Sequence, residues 1–209
     1  MNKETNKNTL LELLHNRFKQ YNYSLNRSLA EFTKREPDGW SKFQLIFLNR
    51  DAGWEINIGM LIRKNVVEDL YHKVSSFEPK YQKTTPTVGI TVENLLDDNK
   101  KHRCYLNSNE DIENCVYYIE KIFRDIALPF FRQYNEIGNI EKAVNVKNGK
   151  SIFSGLKYEG NLGVILAKLV RNPDYPFFVE KNRNYYTTLN DGYFLPQYEK
   201  LLEILAEIR

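Results

Sequence analysis

Between Tyr23 and Met60 two turn signals divide the chain into three extended runs, and an antiparallel meander satisfies that pattern directly. Tyr23 to Glu36 reads as extended. Pro37-Asp38-Gly39 then turns the chain, because proline presets φ and glycine accepts positive φ. Phe43, Leu45 and Phe47 alternate with Gln44 and its neighbours. Arg50-Asp51-Ala52-Gly53 forms a second turn, after which Trp54, Ile56, Ile58 and Met60 alternate with Glu55, Asn57 and Gly59. Period two on either side of a short polar turn marks a hairpin. Ile46 and Leu48 oppose Phe43, Leu45 and Phe47, which calls for helices on both faces of at least the central strand.

Helical signals flank this meander. Thr9 with Glu12 forms a capping box and predicts a helix from about Leu10 to Gln20. Asn65 with Glu68 opens another, with Val67, Leu70, Tyr71, Val74 and Phe77 as its stripe. Pro86 to Leu96 alternates and reads as a strand, Asp97 to Lys101 as a hairpin loop, and Arg103 to Leu106 as a short returning strand. From Ser108 the pattern is helical. A long helix is expected to kink or end at Pro129. A shorter one covers Glu136 to Val144, residues 145–160 are loop-like, and three more helices follow.

The expected fold class is therefore α+β, in the order α-β-β-β-α-β-β. Residues 1–209 form a single domain with a sheet-forming part at 1–108. The helical part at 109–209 packs on the sheet and is not independent.

Composition narrows the function classes. Thirty basic and 27 acidic side chains leave a net charge of +3, and the charges are interspersed. That disfavours nucleic acid as a partner, since such binders concentrate basic charge on one face. No run approaches the roughly 20 apolar residues of a membrane span, so no membrane partner is expected. The polar N-terminus carries no secretory signal. Cys104 and Cys115 form no CxxC or zinc pattern and read as free thiols in a reducing compartment. Together these predict a cytoplasmic protein.

The chemical motifs are sparse. Gly149-Lys150-Ser151 suggests a phosphate loop, but Val144 stands where that motif needs glycine. His15, His72 and His102 show no metal-ligand spacing; His15 and His72 read as flanking apolar stripes at a helix surface, and His102 as lying in a loop. Glu110, Asp111 and Glu113 sit where a helix N-terminus favours negative charge. No cofactor is implied.

The order α-β-β-β-α-β resembles the core of the PD-(D/E)xK nuclease superfamily. The resemblance implies a divalent metal held by Asp38, before the second strand, and Glu55 on the third. Asn57 stands where that family places its lysine. Phe32 to Arg35, Asp38-Gly39-Trp40, Phe43 to Phe47 and Asn57-Ile58-Gly59 together resemble an uncharacterised bacterial family, numbered 4304 among the domains of unknown function. That similarity covers about the first 65 residues and implies no particular activity. Small α+β proteins of this kind include immunity partners of bacterial toxins, an analogy at the level of fold.

Aromatic residues concentrate late in the chain, at Tyr175, Phe177, Phe178, Tyr185 and Tyr186. Tyr is favoured at interfaces, so these five are the candidate binding residues. The alternative is packing of the last two helices. The sequence as a whole predicts a non-enzymatic binding protein with another protein as its partner. A metal-dependent nuclease using Asp38 and Glu55, or a small-ligand-binding protein, are the alternatives.

Overall fold

The computed structural model describes residues 2–153 and 159–208. It is an α+β fold with an antiparallel sheet and a helical C-terminal half. The backbone gathers into two compact units, Met1–Ile62 with Gly89–Gln133 and Arg63–Val88 with Tyr134–Arg209. The chain passes between them at 62/63, 88/89 and 133/134, and none of these points lies at 108/109.

The first unit opens with α1 (Lys3–Phe18). Its cap is Asn2, whose side chain accepts from the Glu4 N–H, so the helix starts well before Thr9. The Thr9 hydroxyl donates instead to the Thr5 carbonyl one turn back, a bond this residue type makes inside helices. β1 (Ser24–Asn26), β2 (Glu31–Glu36), β3 (Gly39–Asn49) and β4 (Trp54–Lys64) follow, and the sheet order is β1-β2-β3-β4-β5, with β5 at Val88–Thr91. The expected turns join β2 to β3 and β3 to β4. Phe32 pairs with Phe43 across β2 and β3.

One face of β3 is buried through Ser41, Phe43 and Leu45, while Lys42, Gln44, Ile46 and Leu48 opposite are half-buried. On the buried face the Phe18 ring of α1 meets Phe32 and Phe43 edge-on. Phe123 stacks on Phe18 with ring centres 4.0 Å apart.

Three sequence expectations fail here. The run expected from Tyr23 to Glu36 is two strands, β1 and β2, paired antiparallel across a turn at 27–30. The strand from Pro86 stops at Thr91, whose side chain caps a helical turn, α4 (Val92–Leu96), by accepting from Asn94 N–H. Valines and isoleucines at 88, 90 and 92 fit a strand pattern, but a threonine that caps outweighs one more alternating residue. The following segment is also no hairpin: β6 (Cys104–Leu106) pairs with β4, through Ile56↔Cys104 and Trp54↔Leu106. The long helix is likewise interrupted. α5 (Ile112–Ile122) widens into a π-helical turn at Phe123–Ala127 before α6 (Leu128–Gln133). Pro129 has no N–H and crowds the carbonyl four residues back, and a π turn just ahead relieves that conflict.

The second unit holds α2 (Asn65–Tyr71) and α3 (Pro79–Gln82). Its later helices are α7 (Ile137–Val144), α8 (Glu159–Leu169), α9 (Tyr175–Thr188) and α10 (Leu195–Ala206). Of the loop expected at 145–160, the stretch 154–158 lies outside the described residues. α8 is buried on nearly every side. Gly160 permits a close approach: a Cβ there would lie 2.7 Å from the Tyr186 ring. The Tyr198 hydroxyl of α10 donates to the Val179 carbonyl, tying α10 to α9. No helix among the described residues is long and apolar enough to cross a membrane.

Candidate functional site

A cleft of about 600 Å³ opens in the second unit, among the end of α7, the start of α8, and α9 with the 3₁₀ turn Leu189–Gly192 that follows it. Its α9 wall repeats every fourth residue, with Phe178, Asn182 and Tyr186 in one row and Lys181 and Tyr185 beside them. Val144, Asn145, Glu159 and Gly160 face that wall. Asn190 and Phe194 close the far end. The size falls within the range of small-molecule sites, which pair apolar and aromatic walls with a few placed polar groups.

Local chemistry fixes the lining. Asn145 donates through its Nδ2 to both Glu141 Oε1 (3.0 Å) and the Gly163 carbonyl (2.9 Å). Gly163 is required for that contact, since a Cβ would come within 2.6 Å of Asn145 Oδ1. The Glu141 carboxylate, buried in the unit, also accepts from Asn172 (2.6 Å). The Tyr186 hydroxyl accepts from the Asn161 N–H, and burial pushes its pKa up to about 12, so this ring is a neutral wall. Asn190 and Asp191 both adopt left-handed backbone, φ 48° and 53°. Asn and Asp tolerate that region best after glycine, and the kink there turns the chain from α9 toward Phe194. Lys181 reaches the Val146 carbonyl at 3.4 Å. Lys181 and Glu159 carry opposite charges on the lining, so the cleft has little net charge.

Of the five aromatic residues singled out by the sequence, the structure brings Phe178, Tyr185 and Tyr186 to the cleft. Phe178 and Tyr186 are buried, whereas Tyr185 is 55% exposed and offers a ring face at the mouth. Tyr175 and Phe177 do not line it. Tyr175 lies under Lys168, with Nζ 5.5 Å from the ring centre, and Phe177 is exposed. The polar lining (Asn145, Lys181, Asn182, Asn190) escaped the sequence reading. The available signal was the four-residue spacing of Asn182 between Phe178 and Tyr186.

The two carboxylates of the nuclease reading are not brought together. Asp38 sits in the turn before β3, and Glu55 lies on β4 just past the opposite end of β3. That strand has 11 residues, or roughly 35 Å at 3.3 Å per residue. Glu55 is also held by arginines. Arg103 bonds one carboxylate oxygen and Arg50 Nε the other at 2.6 Å, and these bonds, that of Arg103 first, lower its pKa. Arg103 further bonds Glu93 at 2.8 and 2.9 Å. Among the described residues no three His, Cys, Asp or Glu side chains gather as a metal site would require.

The residue His72 is half-buried, and its side chain, only 6% exposed, joins a second polar cluster. Thr85 Oγ1 donates to Glu68 Oε2 (2.6 Å), accepts from Arg63 Nη1 (2.9 Å) and lies 2.8 Å from His72 Nε2. The other ring nitrogen, Nδ1, lies 2.8 Å from the Ser75 hydroxyl, so both ring nitrogens have a hydroxyl partner. Burial, then the Arg63 charge, lowers the His72 pKa, while burial raises that of Glu68. The signs follow from linkage. His72, depressed below its ordinary 6.5, contributes stability that is present above about pH 6.5 and lost as pH falls toward the folded value. Glu68, raised above 4.5, acts oppositely and favours the fold on acidification. Replacing His72 by Gln should flatten the loss of stability between about pH 7.5 and 5.5. Urea midpoints followed by circular dichroism test this, and identical pH slopes in the two proteins would refute it.

No protein-family model, curated protein or solved structure matches the chain.

Proposed function

We propose that this is a binding protein whose site is the cleft of the second unit. Its ligand is a small, uncharged ring compound with several hydrogen-bonding groups, of the kind represented by nucleosides and monosaccharides. The observation that carries this reading is the composition of one wall: α9 presents the Tyr185 ring face beside Asn182 and Lys181 on a cleft of about 600 Å³. Carboxamides both donate and accept, and a half-exposed aromatic ring offers a stacking face. The opposed charges of Glu159 and Lys181 favour neither an anion nor a cation as a whole.

Calorimetric titration of the full chain with a panel of nucleosides and monosaccharides tests it. For a ligand that binds, Tyr185→Ala should weaken affinity roughly fivefold, equivalent to about 1 kcal/mol of ring contact, and Asn182→Ala should weaken it comparably. A ligand whose affinity is indifferent to both substitutions would place binding elsewhere.

A protein partner is the second reading. It is favoured by Phe177, Tyr185 and Tyr193, all exposed within one stretch of chain. Under that reading Phe177→Ala, outside the cleft, would impair binding as much as Tyr185→Ala.

A further inference from the structure

Cys104 and Cys115 are far from any motif spacing, yet the fold of the first unit joins them. Cys104 is the first residue of β6, Cys115 lies in the first turn of α5, and both are buried free thiols. The two thiols interact with each other, and Cys115 Sγ donates at 3.5 Å to the carbonyl of Tyr105, the residue that follows Cys104 on β6. We infer that Cys104 and Cys115 form a reversible dithiol–disulfide pair, oxidised by a low-molecular-weight disulfide such as glutathione disulfide, which fastens β6 to α5.

The order of the two steps follows from the contact. The interaction with Cys104 favours the Cys115 thiolate, while that interaction and burial disfavour the Cys104 thiolate, so Cys115 ionises first. The Cys115 thiolate attacks one sulfur of glutathione disulfide. The glutathione S–S bond breaks, one glutathione leaves as thiolate and takes up a proton, and a mixed disulfide remains on Cys115. Cys104 then loses its proton and attacks Cys115 Sγ, and the second glutathione leaves and is protonated. The protein gives up two electrons and two protons, and one glutathione disulfide becomes two glutathiones. An S–S bond spans about 2.05 Å, and the seat of Cys115 Sγ on the Tyr105 carbonyl sets it beside the strand residue it must reach.

Access comes from β6 itself. It is three residues long, its middle residue Tyr105 is 49% exposed, and its register with β4 rests on three residue pairs. Short elements with few contacts open locally well before global unfolding. Neither cysteine contributes to the cleft, so the inference stands apart from the function proposed above.

The experiment is intact-mass spectrometry of the reduced full chain after incubation with graded glutathione disulfide, quenched in acid without reductant. The expected product is lighter by two hydrogens, with the peptides containing 104 and 115 linked. Cys104→Ser should stop at one glutathione added on Cys115. A native chain that keeps both thiols until denaturant is added would overturn the inference. So would accumulation of glutathione adducts with no internal bond. If Cys104→Ser fails to fold, as read by circular dichroism, the wild-type masses decide alone.

Discussion

Phe123→Ala should cost the first unit about 3–5 kcal/mol, the range for removing a large buried ring. Phe123 is fully buried and is the meeting point of the aromatic core: it stacks on Phe18 and takes edge contacts from Tyr21, Tyr23 and Phe43 at 5.1–5.5 Å. Phe123 is the first residue of the π-helical turn. Collapse cannot fill the space easily, since the neighbours are rings fixed by a helix on one side and paired strands on the other. Typical domain stability is about 5–15 kcal/mol, so the variant should approach unfolding. Both tryptophans of the chain, Trp40 and Trp54, belong to the first unit, and their fluorescence during urea unfolding reports on it directly. A loss below about 1 kcal/mol would mean that the aromatic cluster is not what holds this unit together.

Gly53→Ala should cost about 3 kcal/mol, at the upper end of the usual overpacking range. Gly53 closes the β3–β4 hairpin, exchanging backbone hydrogen bonds with Arg50 in both directions. A Cβ there would lie 2.3 Å from the Leu106 carbonyl oxygen and 2.6 Å from Asn107 Cα. These are backbone atoms, so no side-chain rotation relieves the clash. Either the hairpin or β6 must move, and β6 carries both Cys104 and the partner positions of Trp54 and Glu55. The same tryptophan-detected urea curves measure the loss. A variant as stable as the wild type would show that β6 shifts freely against the hairpin.

The meander was legible because two turns of strong local chemistry bracket runs with clear period two. The helices at 137–144 and 195–206 were legible because their apolar stripes are regular and flanked by breakers. What was hidden depends on competition between local signals or on distance along the chain. Thr91 fits both a strand and a cap, and only tertiary pairing decides. The π turn ahead of Pro129 follows from a clash whose relief has several geometries. β6 was legible as a strand, but not its pairing with β4, because pairing across intervening helices leaves no mark on neighbouring residues. His72 looked like a surface residue because its partners Thr85 and Arg63 are not its sequence neighbours. The site was half legible: aromatic clustering marked Phe178, Tyr185 and Tyr186, whereas Asn145 comes from the end of α7, far away along the chain.

The most direct test of the central claim is amide NMR of the ¹⁵N-labelled full chain during a screen of small polar ring fragments, nucleosides and monosaccharides included. The account predicts hits whose shift changes converge on Asn145, Gly160, Lys181, Asn182, Tyr185 and Asn190. A screen in which those amides stay still, while hits fall elsewhere or nowhere, would contradict it.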